Sequence, residues 1–255
     1  MATTNPPIQI SPLTTPTLLP RIFDITASAL GTQSSDGAWT AMNPAWETPN
    51  GRARGIQRLT TQWHSTTRDR NGDPNTIFLA ATVLQKDPST GEAVPVIVGA
   101  AIWIQASMVP GHGDPPATDL GEVMDLEALY PGDPAEQRYV RQVERSLHRR
   151  RGEVVKEVAT SMPLAPSVMA LDLCVVDPAF QRRGVATRLV EWGLEEARRR
   201  GGLEAVLEAS RMGRHVYSRL GFVQEGGEIE YTVDEEFRGR DRPSNVFMRT
   251  GRVGV

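Results

Sequence analysis

The sequence predicts an α/β (α+β) protein, and three observations carry that reading. Val168 to Val176 is an apolar, β-branched run stopped by Asp177-Pro178, because proline fixes φ and lacks an N–H. From Val185 the residues Val185, Ala186, Leu189, Val190, Gly193, Leu194 and Ala197 recur at helical spacing, with charge on the other face, until Gly201-Gly202 ends the pattern. Upstream, Thr76 to Leu84 and Val94 to Gln105 read as two strands joined by the turn Asp87 to Gly91.

The remaining elements follow in order. Ile8 to Ile10 suits a short first strand and Leu18 to Leu30 a helix. Asn43 to Gly55 is rich in Pro and Gly and reads as irregular; Ile56 to Thr67 then has helical spacing through Ile56, Leu59 and Trp63. After the hairpin comes the Pro/Gly loop Met108 to Pro116, then a helix from Pro134 to Arg151. Beyond Gly202, Leu203 to Ala209 reads as a strand, followed by Ser210 and a helix that closes near Tyr217 to Phe222. No internal repeat is visible, and residues 1–255 read as one domain.

The chemistry concentrates in Gln181-Arg182-Arg183-Gly184-Val185-Ala186-Thr187. The first turn of a helix has N–H groups without intrahelical partners and a positive dipole end, so a diphosphate can accept several of them. Small residues at Gly184 and Ala186 allow close approach, and two arginines add attraction.

This stretch resembles motif A of the GNAT acyltransferases, Gln/Arg-x-x-Gly-x-Gly/Ala, through Gln181, Gly184 and Ala186. The segment from Leu203 to Phe222 resembles motif B of the same family. A Rossmann reading wants Gly-x-Gly-x-x-Gly and a later acidic residue, and neither is present. The resemblance implies a mixed, mostly antiparallel central sheet flanked by helices, and acetyl-CoA as co-substrate. It places the pantetheine arm along Leu173-Cys174-Val175 and the diphosphate on Gln181 to Thr187. Tyr217 falls on the motif B tyrosine that protonates the departing thiolate. Ser210 stands where many members have an asparagine. A minimal domain of this family is about 150 residues, so the chain carries an insertion, 106–166, before the cofactor strand. That insertion is expected to roof the acceptor pocket, or else to serve as scaffold or homodimer surface.

For the base that receives the proton of the incoming ammonium, the candidates are Asp172 and Glu208, polar residues inside apolar strands, and the acidic cluster Glu122, Asp125 and Glu127. Arg138, Arg141, Arg145 and Arg149 form a basic stripe that reads as a solvated helix face. His148, beside that stripe, and His64, His112 and His215 have no ligand spacing, so no metal is expected. Cys174 is the single cysteine and reads as a small core residue.

With 39% hydrophobic and 23% charged residues and a net charge of −3, the composition is that of an ordinary globular chain and argues against broad nucleic-acid binding. No apolar run approaches the ~20 residues of a membrane helix, and the start lacks a signal-peptide pattern. The expectation is a cytoplasmic protein, with the nucleus left open, that engages neither membrane nor nucleic acid. The expected activity is acetyl transfer from acetyl-CoA to a primary amine of a small molecule. The alternatives are a protein lysine or N-terminal acetyltransferase and a non-catalytic acyl-CoA-binding module.

Overall fold

The computed structural model describes residues 7–162 and 164–251. Among these residues seven strands form one sheet in the order β1-β2-β3-β4-β5-β7-β6: β1 Gln9–Pro12, β2 Thr76–Lys86, β3 Ala93–Ala106, β4 Val168–Val176, β5 Glu204–Ser210, β6 Val223–Glu228 and β7 Asn245–Arg249. Every neighbouring pair is antiparallel except β4 with β5. Among the described residues no helix is long and apolar enough to cross a membrane.

Alternation of side chains sorts the core onto two faces. One face holds Leu79, Trp103, Met169, Leu171, Leu207 and Met248 beneath α6 (Val185–Arg199) and α7 (Arg214–Arg219). The other is covered by α1 (Leu19–Thr26) and, further along, by α5 (Pro134–Ser161), whose Val154, Val155 and Val158 pack on Val168, Ala170, Val206 and Phe247. Two short helices, α2 (Gly37–Met42) and α4 (Leu126–Leu129), close a satellite cluster around Tyr139, Val143 and Phe237. α6 crosses β3 closely: a Cβ on Gly193 would lie 2.0 Å from Trp103 Cε2.

Three expected elements have different bounds. The helix expected from Ile56 is α3, Pro49–His64, which starts seven residues earlier. Thr48 caps it by accepting from the Gly51 N–H at 3.0 Å, with Pro49 in the first turn. The glycines that read as loop are packing residues, since a Cβ on Gly55 would meet Phe23 at 2.1 Å. The helix expected to end at Arg151 runs on to Ser161, because the apolar stripe continues through Val158. The first helix passes from α1 into a π-helical stretch, Ala27–Gln33.

Candidate active site

β4 and β5 stay paired only from Val168↔Glu204 to Leu171↔Leu207. Beyond that point β5 pairs with β7 through Ser210↔Asn245, and β4 with β3 up to Gly99↔Val176, so the two parallel strands part inside the sheet. The parting begins at a β-bulge. β3 steps from Ile102 to Trp103 while β4 steps from Leu173 to Leu171, which leaves Asp172 as the extra residue. Asp172 and Leu173 therefore both lean toward the face of α1 and α5: Leu173 packs with the α1 cluster, and Asp172 meets Arg151 of α5. Val175 packs on that face too, while Cys174 turns to the α6 face.

At the end of β4, Asp177 caps a short turn and pairs with Arg21 at 2.5 Å. Gln181 is fixed twice: its amide exchanges two bonds with the Gln33 amide, at 3.0 and 2.7 Å, and donates to the Val176 carbonyl at 3.2 Å. The next residues alternate into the left-handed region, Arg182 at φ +63° and Gly184 at φ +84°. Gly184 is the residue before α6, and no side chain caps the helix there. The Gly184 position is open, since an added Cβ would meet nothing within 4 Å. Val185 is buried, Ala186 and Thr187 are half-buried, and the exposed Arg183 guanidinium lies 5.0 Å over the Phe180 ring. This turn, positive-φ residues leading into an uncapped helix start, fits a diphosphate through backbone donors.

On the α6 face of the parting, Tyr217 packs against Gly213 and Phe222, and its hydroxyl meets the Cys174 thiol. Burial, then the nearby Cys174, pushes the Tyr217 phenol well above its ordinary value, so the proton is held. Burial also pushes the Cys174 thiol up, to about 12, against a smaller opposing effect of the Tyr217 bond. Cys174 thus has the character of a core thiol. Ser210 closes β5, its carbonyl accepting from the Gly213 N–H at 3.0 Å.

On the opposite face Asp172 and Glu208 are brought together by one cation. Arg151 Nη1 bonds Asp172 at 2.8 Å, and Arg151 Nε bonds Glu208 at 3.1 Å with a second contact from Nη2. The Arg151 and Glu208 side chains are 9% and 5% exposed, Asp172 28%. Burial raises the Asp172 carboxyl, but the charges of Arg151 and His148 and the Arg151 bond outweigh it and hold it below its ordinary value. His148 stands one turn from Arg151, its Nδ1 2.8 Å from Glu144 and its Nε2 4.0 Å from Glu208. Glu144, His148 and Arg151 replace the valines of α5 opposite the parted strands, a gap in the apolar stripe between Val143 and Val154 that is visible in the sequence.

The acidic cluster goes elsewhere. Glu122 bonds Thr118, Asp125 caps the Ala128 N–H, and Glu127 bonds the Gly132 N–H and Gln137. The arginine stripe is also engaged: Arg138 with Asp234 and Glu236, Arg141 and Arg145 with Asp119. The Pro/Gly loop is not the roof. Asp114 bridges to Ala106 and the Gln105 amide donates to the His112 carbonyl at 2.7 Å, which pins the loop at the Val168 end of β4, away from the parting. A cleft of about 420 Å³ between Glu157, Met162, Glu204, Val223 and Arg249 likewise lies at the far end of β5.

Residues 122–222, from just before α4 to just beyond α7, match the model of the acetyltransferase (GNAT) family. The chain carries a GNAT acetyltransferase domain. A GNAT acetyltransferase domain indicates acetyl-CoA-dependent N-acetyl transfer. Solved structures share the fold of this chain over almost its whole length. Arylalkylamine N-acetyltransferase 2 from Aedes aegypti has a TM-score of 0.57 at 16% identity, covering 95% of this chain and 97% of its own. A mutant agmatine N-acetyltransferase in apo form gives 0.55 at 13% identity over 97% and 100%. A Corynebacterium glutamicum structure described as histone acetyltransferase and related acetyltransferase gives 0.51 at 18% identity over 99% of both chains. At these identities the likeness is one of fold. No curated protein matches the chain.

Proposed function

We propose that this GNAT domain transfers the acetyl group of acetyl-CoA to a primary amine of a small molecule, by direct attack in a ternary complex. The observation that carries the reading is the parting of β4 and β5 at Asp172, with a donor-lined turn at one end and a polar stripe of α5 across one face. The thioester supplies an activated acyl group. Backbone N–H groups of residues 182–187 would hold its diphosphate, with Gln181 fixing the turn, and the edge of Leu173-Cys174-Val175 that β5 leaves unpaired would align the pantetheine arm, which Ser210 could bond from β5. Tyr217, held protonated by burial, is the donor to the departing sulfur. Asp172 and Glu208 share the charge of Arg151, so their part is to face the ammonium with negative charge and fix its position.

The covering of one face by α5 supports a small acceptor over a protein lysine or N-terminus, and it is in keeping with the small amines named for two of the fold's relatives. A non-catalytic acyl-CoA-binding module has no need of a protonated phenol beside the parted strands. The slightly acidic net charge supports an enzyme that does not engage nucleic acid. Release of free thiol from acetyl-CoA, measured with a panel of alkyl and arylalkyl amines and with lysine peptides, tests the assignment. Turnover with peptides and none with small amines would overturn it; binding of acetyl-CoA without turnover on either would favour the module.

A further inference from the structure

We infer that the Glu144–His148 pair on α5 is the proton acceptor of the transfer, with His148 Nε2 taking the proton of the incoming ammonium. This rests on the acetyltransferase function proposed above. A histidine bonded through Nδ1 to a carboxylate presents its Nε2 as acceptor, with tautomer and ring orientation fixed. Here Glu144 holds Nδ1 at 2.8 Å and the ring directs Nε2 toward β5, where Glu208 Oε2 lies 4.0 Å away. That separation is too long for a direct bond. An ammonium nitrogen about 2.9 Å from each atom would bridge them, donating one N–H to Glu208 and one to His148. Glu208 can accept it while bonded to Arg151, because a carboxylate oxygen has two lone pairs.

The imidazole is 35% exposed, open enough for a substrate to reach and covered enough for its neighbours to act on it. Those neighbours come from every surrounding element: Glu144 and Arg151 on α5, Asp172 on β4 and Glu208 on β5. Asp36, before α2, and Tyr231, between β6 and β7, act on Glu144 rather than on the imidazole, with Arg242 near Tyr231, and the Tyr231 hydroxyl is buried without a partner among the described residues. Asn245 adds a second unpartnered acceptor: its Oδ1 is buried opposite Ser210, on the face of Glu208. Burial and Arg151 pull His148 toward the neutral form, while Glu144 and Glu208 together outweigh them and raise it above its ordinary 6.5.

The step balances. The ammonium gives one proton to His148 Nε2, which passes it to solvent. The freed amine forms the C–N bond as the C–S bond breaks. The thiolate takes a proton from Tyr217, which regains it from the nitrogen of the new amide.

The test is kcat/KM for the amine against pH in wild type, Glu144→Gln and His148→Gln, with acetyl-CoA affinity by calorimetry and the His148 imidazole titrated by NMR. Wild type should show a rising limb inflecting above 6.5, at the value NMR gives for His148. Glu144→Gln should move both inflections to lower pH. His148→Gln should remove the limb and lower kcat/KM on the order of 10²- to 10⁴-fold at unchanged acetyl-CoA affinity, and imidazole should restore part of the rate to His148→Ala. An unaltered limb in an active His148→Gln, or a His148 that titrates below 6.5 in wild type, overturns the assignment, the latter even if the variants do not fold. A wild type that binds acetyl-CoA yet acetylates no amine is a separate result, which overturns the function beneath it.

Discussion

Replacing Arg151 by methionine separates the energetic part of the charge triad from its chemical part. The substitution keeps an unbranched side chain on α5 but leaves the two carboxylates that Arg151 bonds without their cation. Breaking a buried pair from one side costs about 3–5 kcal/mol, because an uncompensated charge remains. Asp172, at 28% exposure, is partly relieved by water, so most of the loss comes from Glu208, and about 3 kcal/mol is the working figure. For a chain of this size each kcal/mol moves Tm by about 2–4 °C, which places the variant about 6–12 °C below wild type at pH 7. The pH dependence gives the sharper sign. In wild type, Asp172 is held below its ordinary value, so its contribution is complete above the unfolded value near 4 and is lost as pH falls through the lower folded one. In R151M burial favours the neutral carboxyls, so the penalty is full at neutral pH and shrinks as acid protonates them. Urea unfolding at pH 7 and pH 5 should therefore give a smaller difference from wild type at pH 5, and R151M/D172N/E208M should recover most of the loss. A difference under about 1 kcal/mol at pH 7, or one that does not change with pH, would refute the argument.

Tyr217→Phe should lower kcat about tenfold or more with acetyl-CoA affinity unchanged, as pre-steady-state kinetics would read, since one donor is lost and little packing. Gly184→Val should weaken acetyl-CoA binding in calorimetry, because φ of +84° strains a β-branched residue by about 1–3 kcal/mol and its side chain would stand over the diphosphate turn. Gly193→Ala should destabilise the fold by about 1–3 kcal/mol in urea, since its Cβ would fall 2.0 Å from a fully buried Trp103 that has little room to move; cofactor affinity measured below the transition should stay near wild type.

The most legible part of the chain was β4 through α6. Val168–Val176 has the same bounds in sequence and structure, because a β-branched run and an Asp-Pro stop act locally. The turn into α6 was legible for the same reason, as Gly184 is required by its own φ. The start of α3 differs, since Gly51 and Gly55 carry a loop signal yet serve close contacts that composition does not encode, Gly51 with the Ala45 backbone and Gly55 with Phe23 of α1. Asp172 and Glu208 stood out as polar residues in apolar strands, but Arg151 lies 21 residues from one and 57 from the other, and only folding joins them. His148 has no metal-ligand spacing in the sequence, and its partner is Glu144, four residues before it on the same helix. The strands β6 and β7 escaped notice, since β6 is exposed at nearly every position and has no apolar alternation.

The order β5-β7-β6 also fixes a schedule for folding. Leaving the ribosome, β6 emerges before β7, yet the place beside β5 is reserved for β7, and β6 bonds only to β7. The right-hand edge of the sheet therefore waits, with β5 uncovered, until Asn245–Arg249 threads between its neighbours. Until that strand arrives, Val206 and Leu207 present an open edge to any other extended chain. The last strand to appear is the keystone of this half, so a lesion in 245–249 should act mainly on yield and aggregation during synthesis, well before it touches catalysis.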